Sequence, residues 1–141
     1  MSNSQSNTNV ETIRKIYAAF AVGDVPTVLA AFSKDIIWNE AENFIYADGN
    51  PYIGPDAIVG GVFMRLGTEW ENFRLDNISF YNVEDDRVLA TGRYRGTCNA
   101  TGKKLDAQFA HFWKLSDGLI TSFQQYTDTK QAAEVSKTDG E

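Results

Sequence analysis

From Phe73 to Asp128 the chain is written almost entirely in runs that suit extended backbone. Phe73 to Val83, Arg87 to Cys98, Lys103 to Leu115 and Ile120 to Asp128 are rich in β-branched and aromatic residues. Short polar turns at Glu84-Asp85-Asp86, Ala100-Thr101-Gly102 and Ser116-Asp117-Gly118 separate them. Connections that short join neighbouring strands antiparallel, so the four segments predict one meandering sheet. A sheet with an apolar face needs that face covered, and the residues that precede it carry the helical patterns that can cover it.

Thr8 followed three residues later by Glu11 is a capping-box signature, and Val10, Ile13, Ile16, Tyr17 and Phe20 recur at helical spacing. A first helix is therefore expected from Thr8 to about Val22. Gly23 ends it, and Asp24 with Pro26 starts a second short helix carrying Val28, Leu29 and Phe32. Lys34-Asp35 turns the chain into the strand Ile36 to Glu40. A stretch rich in Gly, Pro, Asp and Asn follows, and Pro55 fits the first turn of a third helix reaching about Arg65. Asp128 with Gln131 caps a last short helix. Helices first and long strands afterwards give an α+β fold, with helices on one face of a strongly curved, mainly antiparallel sheet. A length of 141 residues fits one domain, expected over residues 9–130. The polar ends, 1–8 and 135–141, are expected to fray as tails.

Several functional classes fall away. A net charge of -6 argues against nucleic-acid or anionic-membrane partners, which need a basic face. Cys98 is the only cysteine, so neither an internal disulfide nor a cysteine metal cluster is expected. The N-terminus lacks the apolar core of a secretory signal, and no apolar run approaches ~18 residues, which points to a cytoplasmic protein. One histidine without matched ligand spacing does not make a metal site, and no glycine-rich phosphate loop occurs. No cofactor is expected.

That histidine, His111, lies in the middle of the third long strand, between Phe109 and Trp113 on one side of the pleat. Histidine exchanges protons near neutral pH, so it is either a pocket group or a core residue whose nitrogens are satisfied by neighbours. By the same alternation Trp38 shares a face with Glu40, Gly92 with Tyr94, and Phe123 with Gln125. Arg93 and Arg95 then point to the opposite face, where surface salt bridges are expected. Glu40, next to a loop, is either a pocket acid or a solvated one.

The strings YAAFAVGDVPTVLAAFSKDIIWNE, PYIGPDAI and TGKKLDAQFAHFWKLSDGLITSFQQYTDT resemble the SnoaL-like polyketide cyclases and the ketosteroid-isomerase-like superfamily. The likeness spans about residues 9 to 130. It implies the cone-shaped fold of nuclear transport factor 2 and, commonly, a homodimer. It specifies activity poorly, because the superfamily holds isomerases, cyclases, epoxide hydrolases and dehydratases. Ketosteroid isomerases shuttle a proton on a carboxylate after the helical hairpin, a slot that Glu40 fills here. Their oxyanion hole, a helix-one tyrosine with a neutral aspartic acid, aligns with Ile16 and Ala110, with Tyr17 one residue away. The Arg-x-Asp pair and last-strand aspartate of limonene-type epoxide hydrolases align with Gly92, Tyr94 and Gln125, and the last-strand carboxylate of the antibiotic cyclases also falls at Gln125.

The resemblance implies that these faces line one cavity. Glu40 and His111 are the candidate acid-base pair, Tyr17, Tyr94 and Gln125 the hydrogen-bonding contacts, and Trp38, Phe63, Phe109 and Phe123 the apolar walls. The expected function is cofactor-independent isomerisation, cyclisation, dehydration or hydrolysis of a small hydrophobic molecule. A non-catalytic holder of an apolar ligand and a dimeric interaction domain are the alternatives.

Overall fold

The computed structural model describes residues 2–138, so Met1 and residues 139–141, part of the expected tails, lie outside the described residues. Helix α1 (Ser2–Ala21) and helix α2 (Val25–Ala30) form a hairpin that leads into strand β1 (Phe32–Asn39). A 3-10 turn (Ala47–Gly49) and the two-residue strand β2 (Tyr52–Ile53) precede helix α3 (Pro55–Ile58), a π turn (Val59–Phe63) and helix α4 (Met64–Glu69). Then come β3 (Trp70–Glu84), β4 (Arg87–Cys98), β5 (Lys104–Ser116), β6 (Leu119–Thr127) and helix α5 (Thr129–Ser136). The six strands make one curved, unclosed sheet in the order β2-β1-β6-β5-β4-β3. Only β1 and β6 pair in parallel.

Local chemistry explains most boundaries. Asp24 caps α2, accepting the Thr27 N–H at 3.2 Å and the Thr27 hydroxyl at 2.6 Å, while Gly23 turns the chain at a φ of 75°. Asp128 caps α5 by accepting the Gln131 N–H at 3.0 Å. Three expectations need correction. Phe32, expected in the second helix, and Lys34-Asp35, expected as a turn, all lie in β1, because α2 stops at Ala30. Helix α1 begins at Ser2, well before the Thr8–Glu11 box; Thr8 lies inside it, its carbonyl accepting the Thr12 hydroxyl at 3.0 Å. The third helical segment runs past Arg65 to Glu69 because a π turn accommodates Gly60 and Gly61 without ending the helix.

The curvature has an identifiable source. Strand β3 slips register against β4 between Glu71 and Arg74 and again between Asp76 and Ser79. Within those slips Asn72 and Asn77 adopt left-handed backbone, at φ of 56° and 58°, which asparagine tolerates better than most residues. The β4–β5 ladder, by contrast, pairs continuously from Arg87–Lys114 to Thr97–Lys104. Strict alternation therefore survives on the strand that carries His111. Its inward positions, Ala107, Phe109, His111 and Trp113, are all buried. On the outer face Arg93 meets Asp106 at 2.7 Å and Arg95 meets Asp76 at 3.1 Å, solvent-screened pairs of small energetic weight.

Gly92 is paired with Phe109 across the β4–β5 ladder, and the phenylalanine ring occupies the space where a side chain at 92 would stand. A Cβ there would come within 2.8 Å of both the Phe109 ring and the Asp76 carbonyl oxygen. Gly92→Ala should therefore destabilise the domain by roughly 1–3 kcal/mol through overpacking. Urea unfolding of the two proteins checks this.

Candidate functional site

Between the helices and the concave face of the sheet lies an aromatic cavity of about 70 Å³. Helix α1 contributes Ile16, Tyr17 and Phe20; the π turn and α4 contribute Val62, Phe63 and Leu66; the central strands contribute Tyr94, His111, Trp113, Phe123 and Gln125. Trp38 and Glu40 enter from the end of β1. A cavity of roughly 150 Å³ is needed to hold a benzene-sized guest. Of the side chains lining the present cavity, Phe20, Phe63, Leu66, Phe73 and Leu75 are only half-buried.

At its centre the His111 ring stacks on Phe109, with centroids 4.1 Å apart, and meets the edge of Phe123 at 5.0 Å. Nδ1 lies 2.5 Å from the Tyr17 hydroxyl, and Nε2 is hydrogen-bonded to the Tyr94 hydroxyl. Trp113 donates its indole N–H to the Tyr17 oxygen at 2.9 Å. Gln125 donates to the Tyr94 oxygen at 2.9 Å and accepts the Ala41 backbone N–H at 3.0 Å. Burial lowers the His111 pKa to about 3, so the imidazole is neutral. It also raises both tyrosines well above their ordinary value; for Tyr94 the Glu40 charge adds to the effect, and for Tyr17 the Trp113 N–H opposes it.

Glu40 is 3% exposed. Its Oε2 accepts the Trp38 indole N–H at 3.1 Å, and Asn50 clamps its backbone from both sides, accepting its N–H at 2.9 Å and donating to its carbonyl at 2.8 Å. Burial raises the carboxyl pKa to about 7, against the opposing pull of the Trp38 N–H and the more distant Arg65 charge. Trp38 in turn stacks on Phe123, centroids 3.8 Å apart, and meets the Phe63 edge at 5.7 Å.

The candidates from the sequence are thus distributed as follows. Glu40, His111, Tyr17, Trp38, Phe63, Tyr94, Phe123 and Gln125 line one cavity. Phe109 does not line it; it stacks behind His111 and Tyr94 as a platform. Glu40 and His111 face the same space without a hydrogen bond between them, each bound to other partners. Of the two positions that the resemblance matched to an oxyanion hole, Ile16 lines the cavity beside Tyr17 as an apolar side chain, while Ala110 gives way to its neighbour His111. Two contributors stand outside the candidate set: Asn50, in the stretch rich in Gly, Pro, Asp and Asn, and Trp113, on the third long strand. Trp113 shares the face of His111 and could have been found by spacing; nothing local marks Asn50. Among the described residues, no three His, Cys, Asp or Glu side chains gather to hold a metal ion, and no helix is long and apolar enough to cross a membrane.

Residues 13–123 match the SnoaL-like domain family. Among solved structures, an NTF2-like protein from Burkholderia thailandensis is 32% identical, covering 92% of this chain and 97% of that one at a TM-score of 0.85. Another NTF2-like protein, from Burkholderia pseudomallei, is 26% identical over 93% and 98% of the two chains, at a TM-score of 0.83. TerC, co-crystallized with polyporic acid, is also 26% identical, covering 91% and 97% at a TM-score of 0.80. No curated protein matches the chain.

Burial makes the two ionisable groups respond to pH in opposite ways. Glu40 is raised from 4.5 to about 7, so the folded state binds the extra proton and stability is lost as pH rises through that window. His111 is lowered from 6.5 to about 3, so its contribution is lost as pH falls below 6.5. From 4.5 to 6.5 the two effects oppose one another. Glu40→Gln removes the first alone, and should stabilise the protein by about 3 kcal/mol at pH 8 with the gain vanishing near pH 4.5. Urea unfolding at both pH values is the measurement.

Proposed function

We propose that this chain, which belongs to the SnoaL-like domain family, uses its cavity to move a proton on a small, neutral, mainly apolar compound that carries a carbonyl or hydroxyl oxygen. The observation that carries this reading is the environment of Glu40: a carboxyl group buried among aromatic rings, poised at about 7, in the same cavity as two tyrosine hydroxyls. A general acid-base group works best with a pKa near the working pH. Glu40 takes the role of proton acceptor and donor. The hydroxyls of Tyr17 and Tyr94 stabilise charge that develops on the substrate oxygen. His111, neutral and bonded at both nitrogens, organises those hydroxyls instead of shuttling the proton itself. Isomerisation, cyclisation and dehydration all contain such a step, and no cofactor is invoked.

Exchange of the α-hydrogens of cyclohexanone in deuterated water, followed by proton NMR, is a direct test. The protein should accelerate exchange, the rate should rise with pH through about 7 as Glu40 ionises, and Glu40→Gln should lower it by roughly 10²–10⁴-fold. A non-catalytic holder is the second reading, favoured by one observation: among the described cavity residues, Glu40 alone titrates near neutrality, while Gln125 is an amide and His111 is neutral. That reading expects cyclohexanone to raise the melting temperature equally in both proteins, with no exchange in either.

A further inference from the structure

The hydrogen bonds around His111 do not use up the hydrogens that are present. A neutral imidazole has one N–H and one bare nitrogen, and each tyrosine has one O–H, which makes three hydrogens. They serve two contacts, Nδ1 with Tyr17 and Nε2 with Tyr94. Trp113 and Gln125 both donate to the tyrosine oxygens, and the Glu40 carboxyl in the same cavity is hydrogen-bonded to Trp38 and not to either hydroxyl. One hydroxyl hydrogen is therefore left over in either tautomer, and both tyrosines line the cavity.

We propose that His111 is a tautomeric selector, deciding whether Tyr17 or Tyr94 presents its hydroxyl hydrogen to the oxygen of a bound ligand. The proposal rests on the cavity being the ligand site, as argued above. With the proton on Nε2, the imidazole donates to the Tyr94 oxygen, Tyr17 donates to Nδ1, and the Tyr94 hydrogen faces the cavity. With the proton on Nδ1, the imidazole donates to Tyr17, Tyr94 donates to Nε2, and the Tyr17 hydrogen faces the cavity. Passing from the first state to the second transfers the Tyr94 hydrogen to a cavity oxygen, the Nε2 proton to Tyr94 and the Tyr17 hydrogen to Nδ1. The step balances when the cavity oxygen belongs to a hydroxyl group or a water that takes the Tyr94 hydrogen and gives its own to Tyr17, so no charge is left behind.

The hydrogen-bond donors are matched on the two sides, while the Glu40 charge acts on Tyr94. Each tyrosine oxygen has one indole or amide donor at 2.9 Å, so neither tautomer is favoured by the count of bonds. The ring is 4% exposed, packed on Phe109 and Phe123, and no carboxylate is hydrogen-bonded to it, which keeps it neutral. The ligand class follows: a neutral apolar molecule with at least one acceptor oxygen, held in either of two registers. A hydrocarbon of the same shape leaves a buried hydroxyl unpaired and should bind roughly ten- to a hundredfold more weakly.

His111 is the only histidine, so its ring nitrogens can be read by nitrogen-15 NMR without assignment. The ligand-free Tyr17→Phe and Tyr94→Phe variants at pH 7.5 provide the test. Tyr17→Phe should hold the Nε2–H tautomer and Tyr94→Phe the Nδ1–H tautomer. The same tautomer in both variants, or a doubly protonated ring in either, overturns the proposal. If either variant does not fold, Gln125→Leu and Trp113→Phe replace the pair, with the Nε2–H and Nδ1–H forms expected respectively. Because these spectra are recorded without ligand, they stand apart from the exchange assay on Glu40.

Discussion

One buried chain of hydrogen bonds ties the separate elements of this fold to its cavity. It runs from the Trp113 indole on β5 to Tyr17 on α1, through His111 to Tyr94 on β4, then through Gln125 on β6 to the Ala41 N–H just after β1. A polar group taken out of water without a partner is costly, and here each side-chain nitrogen and oxygen of the chain has at least one hydrogen-bond partner inside an otherwise aromatic space. The chain fixes how the first helix sits over the sheet. It also sets the end of β1 against β6, which places Glu40, the residue before Ala41, in the cavity.

Burial acts on charge throughout that space, and its sign depends on the group. It disfavours the imidazolium and the carboxylate alike, so the nearest thing to an acid-base pair, Glu40 and His111, is not an ion pair and does not behave as one. The histidine is driven out of the range in which it can carry protons as a cation. The carboxylate is driven into the range in which it can. A residue that looks from the sequence like the proton carrier is thus held neutral between two tyrosine hydroxyls, and under the proposed function proton transfer is assigned to Glu40.

Much of this was legible in the sequence because its physics is local or strictly periodic. The four long strands follow from composition and turn residues, the Asp24 and Asp128 caps from side chains that reach their own helices, and the inward set on β5 from a period of two that no bulge disturbs. What escaped depends on contacts across the chain. The start of α1 is not set by its capping box, the π turn lets a glycine-containing helix continue, and the slips that bend β3 arise at two asparagines whose backbone handedness spacing does not reveal. Asn50 is the clearest case: its side chain reaches back ten residues to brace Glu40, which only the folded loop discloses.

The missing charges of better-known relatives have a packing counterpart. Where the alignment places an arginine of the epoxide-opening enzymes, Gly92 leaves room for the Phe109 ring, and that ring is the surface on which His111 and Tyr94 stack. A long side chain at 92 would displace the platform that orients the imidazole between its two tyrosines. The aromatic platform and a charged pair are therefore competing solutions for the same volume. A single arginine placed at 92 would not supply that chemistry, because the Phe109 ring already fills the space its side chain needs.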